Sequence, residues 1–328
     1  MRTRSRAPIT RETRGGEFVY VRDGRIITNE REIERIQSLA IPPAWTDVEI
    51  ARSPRAKVLA RGRDAAGRTQ RLYRPGFRRQ QELAKFERIV RFGQGLPRLR
   101  QQVERDLRRR TFSRDKTVAC VVRLIDQEFF RVGNLEYAKK HESYGVTTLR
   151  RRHVRVTATS VTMEFVGKSG KFHRYVVRDR RLARLIGELR DMPGYEVFRF
   201  LDEDGSLRTV RSRDVNEYVK AALGEEFSAK DFRTWGGSVL ALTQFLAIDP
   251  SEDRAKAVRK AVVAVAERLG NTPAVTQSSY IDPRVIEAFE DGTVDSLRRG
   301  MSRMKPRPYL SREEQCLLRL YKRKRGAA

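Results

Sequence analysis

The chain has 328 residues, 39% of them hydrophobic, with 70 Lys+Arg against 42 Asp+Glu and a formal net charge of +28. No apolar run is long enough to span a bilayer, which excludes an integral helical membrane protein. The basic residues run along almost the whole length, so the default partner is a polyanion, nucleic acid before a membrane surface, with an inert basic surface or ribosome association as the bland alternative.

Other classes fall away on particular residues. The opening MRTRSRAPITRETRGG has no apolar core of a signal peptide, and its Arg-rich start is short for a transit peptide. Cys120 and Cys316 both sit in apolar helical patterns, the pattern of two buried free thiols in a reducing compartment. His141, His153 and His173 are not spaced for zinc, and neither Gly15-Gly16 nor Gly236-Gly237 forms a phosphate-cradling loop. Scattered carboxylates leave a Mg²⁺ site open, since such sites leave little trace in sequence.

In chain order, residues 1–16 read as a flexible basic arm. Phe18–Val21, Asp23-Gly24 and Ile26–Thr28 predict a β-hairpin, because Asp-Gly supplies the positive φ of a tight turn. Ile33, Ile36 and Leu39 have helical spacing, and Pro42-Pro43 ends that helix. Strands are predicted at Val48–Ala51, Val58–Gly62 and Thr69–Tyr73. Residues 1–84 therefore form a small, β-rich, basic domain. Within it Arg68, Gln70, Arg71 and Tyr73 stand on or beside one strand. A β-ribbon can enter the major groove, where Arg and Gln make paired contacts to base edges. A solvated edge strand guarded by charge fits the same residues equally well.

From Phe77 the texture becomes helical, and residues 85–328 form the larger, mainly helical domain. Leu83, Phe86, Ile89, Val90 and Phe92 mark one segment; Leu96, Leu99, Val103 and Leu107 mark another. Val118, Val121, Val122, Ile125 and Phe129 predict a core helix that Gly133 and Asn134 stop, with Arg131 at its end, where a cation also suits the helix dipole. Alternation over 153–178 predicts a three-stranded sheet whose last hairpin turn holds Lys168, in isolation an ordinary turn lysine. Short helices are expected at Leu182–Leu189 and Arg213–Leu223. A helix starting near Ser228 or Asp231 carries Arg233 in its first turns, where a cation opposes the dipole unless an anion lies beside it. A helix over Val258–Leu269 leads into the polar stretch LGNTPAVTQSSYIDP, which presents Tyr280. A final helical region begins at Val285, and Lys322–Arg325 make a solvated basic tail.

Five short pieces carry a resemblance. Arg131-Val-Gly-Asn134, Tyr144-Gly-Val-Thr-Thr-Leu149, Phe165-Val-Gly-Lys168, Lys230-Asp-Phe-Arg-Thr-Trp235 and Leu269-Gly-Asn-Thr-Pro273 followed by Tyr280 resemble, in that order, the type IB DNA topoisomerases of the compact bacterial and poxvirus kind. Ile41-Pro-Pro-Ala-Trp45 and Gly67-Arg-Thr-Gln70 resemble the bacterial members. The resemblance implies an α+β fold in two parts, a β-rich N-terminal DNA-binding domain and a mainly helical catalytic domain with a small three-stranded sheet, together a C-shaped clamp on duplex DNA. It implies that Tyr280 attacks a DNA phosphate to give a 3′-phosphotyrosyl link. Arg131 and Arg233 would hold the scissile phosphate, and Lys168 would protonate the departing 5′-oxygen. Poxvirus and nuclear members have histidine where this chain has Asn271; an amide can donate a hydrogen bond to phosphate but cannot carry a proton. By the same resemblance Arg68, Gln70, Arg71 and Tyr73 would contact DNA. The expected partner is double-stranded DNA, for a monomer in the bacterial cytoplasm or nucleoid, without membrane, metal or small-molecule cofactor. The product would be DNA relaxed in either sense without ATP. Two rival readings share parts of this pattern. Tyrosine recombinases use a similar Arg, Lys, Arg, Tyr set but carry a His-x-x-Arg-His-like block and a helical N-terminal part; a passive DNA-binding protein explains the charge but not the ordered motifs.

Overall fold

A computed structural model of the chain describes residues 7–249 and 251–326, without the side chains of Arg78, Leu83 and Arg325. It divides into two compact units, Met1–Glu87 and Arg88–Ala328.

The first unit is a six-stranded antiparallel sheet. Its strands are β1 Ile9–Arg14, β2 Glu17–Arg22, β3 Arg25–Ile26, β4 Thr46–Ile50, β5 Val58–Arg63 and β6 Thr69–Tyr73, in the order β3-β2-β1-β4-β5-β6. Helix α1, Glu30–Gln37, begins at Asn29, whose side chain accepts from the Glu32 N–H at 3.0 Å. The core is Ile9, Ile27, Ile36, Val48, Ile50 and Ala60, with Tyr20, Trp45 and Leu72 packed on it.

Residues 9–14 correct the expected flexible arm, of which residues 1–6 lie outside the described residues. One buried isoleucine among polar residues gives no alternation to read, yet β1 pairs with both β2 and β4. Arg11 does structural work there. Its guanidinium donates to the carbonyls of Ile41, Pro42, Pro43 and Trp45 at 2.6–3.3 Å, clasping the Pro-Pro turn.

The two helical segments around Phe92 and Leu99 are one helix, α2, Pro75–Leu107, with Pro97 inside it. An interior proline removes a hydrogen bond and costs about 3 kcal/mol. Burial of Phe92, Leu96, Leu99 and Val103 in the core offsets that loss. The side chain of Leu83, also expected on this face, lies outside the described residues.

The rest of the second unit runs α3 Arg114–Glu128, α4 Leu135–His141, β7 Val154–Val156, β8 Val161–Val166, β9 Phe172–Val177, α5 Arg180–Asp191, β10 Arg199–Leu201, β11 Leu207–Thr209, α6 Ser212–Leu223, α7 Ala229–Ala247, α8 Arg254–Leu269, α9 Pro273–Ser279, α10 Pro283–Glu290, α11 Thr293–Met301 and α12 Arg312–Gly326. Strands β7, β8 and β9 form the expected antiparallel three-stranded sheet. The hairpin β10–β11 carried too few alternating positions to be anticipated. Helix α7 buries most of its residues, with the polar Lys230 and Gln244 left exposed, and touches α3, α6, α8, α10, α11 and α12. The basic tail does not trail into solvent: α12 continues through it, Arg323 donates to Ser296 Oγ at 2.7 Å and Lys324 pairs with Asp291 at 2.8 Å. The fold class is α+β.

Candidate active site

The site is built where three helices end. Helix α3 stops earlier than Gly133 and Asn134 suggest. Phe129 takes the left-handed conformation (φ 56°) and closes it, while Asn134 instead caps α4, accepting from the Glu136 N–H at 2.8 Å. Arg131 thus lies in an extended segment beyond the helix. That segment is zipped to the next motif: Val146 N–H donates to the Arg131 carbonyl at 2.9 Å, and both the N–H and hydroxyl of Thr147 donate to the Val132 carbonyl at 2.8 Å.

Arg233 is only 4% exposed, on α7. Its first-turn position looked anomalous, but the side chain leaves its own helix start. It donates to the Phe129 carbonyl at 2.5 Å and the Leu269 carbonyl at 2.7 Å, the C-terminal ends of α3 and α8, where carbonyl dipoles favour a cation. The start of α7 is served by Asp231, whose carboxylate accepts from Ser228 N–H at 2.8 Å and from Arg88 at 2.8 Å.

Arg131 approaches the same corner and donates to Asn271 Oδ1 at 2.5 Å and to the Gly270 carbonyl at 3.3 Å. Burial lowers the Arg131 pKa, and the Arg233 cation lowers it further. Among the described residues no carboxylate pairs with either guanidinium, so two positive charges stand together without a neutralising acid. Asn271 completes the corner. A guanidinium can only donate, so the amide oxygen must face Arg131 and the NH₂ must face away. Among the described residues that Nδ2 is buried without a hydrogen-bond partner, as is Arg233 Nε. Buried unpaired donors are rare and mark strain, function or a missing partner.

Tyr280 does not sit in a loop. Thr272 and Pro273 start the short helix α9, and Tyr280 closes it, its N–H donating to the Thr276 carbonyl at 2.9 Å. The ring is half-buried, with Arg233 Cζ 5.1 Å from its centroid. Its hydroxyl makes no hydrogen bond among the described residues. Beneath it, a Cβ on Gly237 would come within 2.5 Å of the Tyr280 carbonyl oxygen. Ser238 Oγ accepts from the Asp282 N–H at 3.0 Å, and its single proton has the Thr234 carbonyl at 3.2 Å and the Tyr280 carbonyl at 3.4 Å within reach. The Gly236-Gly237 pair, no phosphate cradle, lets α7 lie against Phe129 and the Tyr280 backbone.

Lys168 lies in the β8–β9 turn, exposed and unpaired among the described residues. The hairpin is anchored by Tyr144 N–H, which donates to the Val166 carbonyl at 2.9 Å. His173 is not spaced for zinc and carries no other motif in the sequence. Its ring stands beside Gly270, and burial, Arg131, Arg233 and Lys171 lower its pKa.

In the first unit the four N-terminal candidates separate. Arg68 Nε and Gln70 Nε2 both donate to Asp64 Oδ2, at 2.7 and 2.9 Å. Arg71 and Tyr73 alternate with Gln70 along β6 and lie on its other, exposed face. Tyr73 also packs its ring 5.6 Å from Phe77.

Among the described residues no three His, Cys, Asp or Glu side chains cluster as a metal would require, and no helix is long and apolar enough to cross a membrane.

Known proteins resemble the chain over most of its length. Residues 74–306 match the family described as the eukaryotic DNA topoisomerase I catalytic core, and residues 17–64 match the bacterial DNA topoisomerase IB N-terminal domain. The chain is 32% identical to DNA topoisomerase 1B of Acanthamoeba polyphaga mimivirus over 298 residues, covering 86% of this chain and 88% of that one. It is 25% identical over 293 residues to the DNA topoisomerase 1B of vaccinia virus, strain Copenhagen, and to the DNA topoisomerase I of monkeypox virus, in each case over 83% of this chain and 90% of the other. The chain belongs to the type IB DNA topoisomerases, in the compact form shared by bacteria and poxviruses. It is therefore an isomerase acting on DNA, which replaces both the recombinase and the passive-binder readings.

Proposed function

We propose that the protein relaxes supercoiled duplex DNA by reversible single-strand cleavage at Tyr280. The observation that carries this reading is the corner where Arg131, Arg233 and the unpaired Nδ2 of Asn271 meet beside the Tyr280 ring with no carboxylate paired to either arginine. A phosphodiester would supply the missing acceptor. When the Tyr280 oxygen attacks phosphorus, the phenol proton passes to solvent, a Tyr–O–P bond forms, and charge grows on the non-bridging oxygens. Donors fixed in advance around those oxygens stabilise that state without reorganising. The P–O5′ bond breaks as Lys168 gives a proton to the leaving oxygen, which is a poor leaving group as an alkoxide. The 3′-phosphotyrosyl bond retains the phosphodiester energy, so attack by the 5′-hydroxyl restores the strand without ATP. Between the two steps the cut strand swivels about the intact one, driven by torsional strain, while both domains hold the duplex. We assign Arg71 and Tyr73, on the exposed face of β6, as the first N-terminal residues to meet DNA. A monomer in the bacterial nucleoid suffices for this chemistry.

The test is relaxation of positively and negatively supercoiled plasmid at low salt in EDTA without ATP. Folded protein that changes no linking number in either substrate contradicts the proposal. For the proton step, Lys168→Ala should slow cleavage of an ordinary strand, and a 5′-bridging sulfur, which leaves unprotonated, should restore much of the rate; absence of rescue removes Lys168 from that role.

A further inference from the structure

His173 lies on β9, directly across from Phe165 of β8, and its imidazole is gripped from two sides. On one side is Gly167, the residue before Lys168: a Cβ there would come within 2.6 Å of His173 Cδ2 and 2.8 Å of Nε2. On the other is Gly270, the residue before Asn271, where an added Cβ would overlap His173 Cε1. Phe165 and Tyr175 flank the ring, with centroids 5.6 and 5.8 Å away. Neither glycine has room for a side chain while the imidazole is present.

These contacts join two parts of the site that otherwise belong to separate elements. The Lys168 turn is closed by Gly167 N–H, which donates to the Lys171 carbonyl at 2.7 Å. The α8–α9 corner supplies the Gly270 carbonyl and Asn271 Oδ1 to Arg131, and the adjoining Leu269 carbonyl to Arg233. We propose that His173 is a positioning residue, a spacer of fixed thickness that seats the Lys168 turn against the corner holding both arginines. The ring acts by shape. A charged ring would face Arg131, Arg233 and Lys171, and its lowered pKa agrees with a neutral spacer.

The inference rests on Lys168 serving as the acid, and its test is arranged to fail separately. Full-length variants are compared in single-turnover cleavage at saturating enzyme, on a site first mapped in plasmid DNA, with either an oxygen or a sulfur at the 5′-bridging position. His173→Ala should slow the oxygen substrate by about 10- to 100-fold, the scale of a displaced catalytic group, and leave the sulfur substrate within about 3-fold of wild type. His173→Phe keeps a ring of similar thickness and should recover most of the oxygen rate. Gly167→Ala, with the imidazole intact but the turn pushed off it, should reproduce the His173→Ala pattern. Wild-type rates in His173→Ala, equal losses on both substrates, or a His173→Phe as slow as the alanine variant each overturn the proposal. If sulfur fails to rescue Lys168→Ala itself, the acid assignment falls first; if it rescues Lys168→Ala but not His173→Ala, only the spacer role falls. Should His173→Ala not fold, the Phe and Gly167 variants carry the same contrast.

Discussion

The Asn271 oxygen accepts from Arg131, and its Nδ2 has no hydrogen-bond partner among the described residues. Asn271→Ala should therefore slow single-turnover cleavage by about 10- to 100-fold, the worth of one or two hydrogen bonds to charged groups. Asn271→Asp should be worse, because a carboxylate would pair with Arg131 and occupy the place of the phosphate. An aspartate variant that cleaves as fast as wild type would show that the corner does not bind the anion. Residues of this kind were legible only in part. Arg131, Lys168, Arg233, Tyr280 and Asn271 stand in short ordered motifs, so they could be named as candidates. What each one touches could not, because Arg233 reaches carbonyls 104 and 36 positions away in the chain. Its apparent conflict with the α7 dipole dissolves once the side chain is seen at the ends of α3 and α8. His173 gave little signal, since the two residues it holds apart, Gly167 and Gly270, have no side chains to reveal the contact.

The same holds for elements. Helix α7 is the surface against which Tyr280, the proposed nucleophile, is set, and a Cβ on Gly237 would meet the Tyr280 carbonyl. Gly237→Ala must push the Tyr280 backbone away. Overpacking of this type costs about 1–3 kcal/mol, and thermal melting should register it. Cleavage should fall more than non-covalent DNA binding does; equal losses would point to general unfolding. A second element-level expectation concerns His153, whose Nδ1 accepts from Arg150 N–H at 3.1 Å just before β7. Burial first, then Arg152 and Arg150, push its pKa down to about 4. The unfolded chain takes up the proton near the ordinary value of about 6.5, before the folded one does. Stability is thus fully present above that value and declines as pH falls from about 6.5 toward 4. His153→Gln, which has no charge to gain, should flatten the melting-temperature decline across that interval, and an unchanged slope would exclude His153 as its source. Long periodic helices such as α3, α7 and α8 were readable from apolar spacing. Helix α9 was not, because its seven residues, PAVTQSS, bury only Thr276 and so show no apolar stripe. Strand β1 was hidden for the matching reason, one buried isoleucine among arginines and threonines.

At the scale of the whole molecule, the charge of +28 sets how DNA is held. Many of the arginines are already spent on internal pairs, Arg100 with Asp126 and Glu314 or Arg68 with Asp64, so the 70 Lys+Arg overstate the number free for phosphate. A protein that neutralises about 6–10 phosphates loses about 10³–10⁵ in affinity between 50 and 200 mM salt. Titration of Tyr280→Phe with labelled duplex, which avoids the covalent state, should give a linear log–log slope within or below that range; a slope near zero would separate the charge from DNA binding. The central claim is narrower and more direct to test. Incubation with a nicked suicide duplex, from which the 5′ fragment dissociates, should trap the protein on the 3′-phosphate. Digestion and mass spectrometry of the adduct should locate the nucleotide on Tyr280, and Tyr280→Phe should yield none. An adduct mapped to another residue, or one that persists in Tyr280→Phe, would contradict the account.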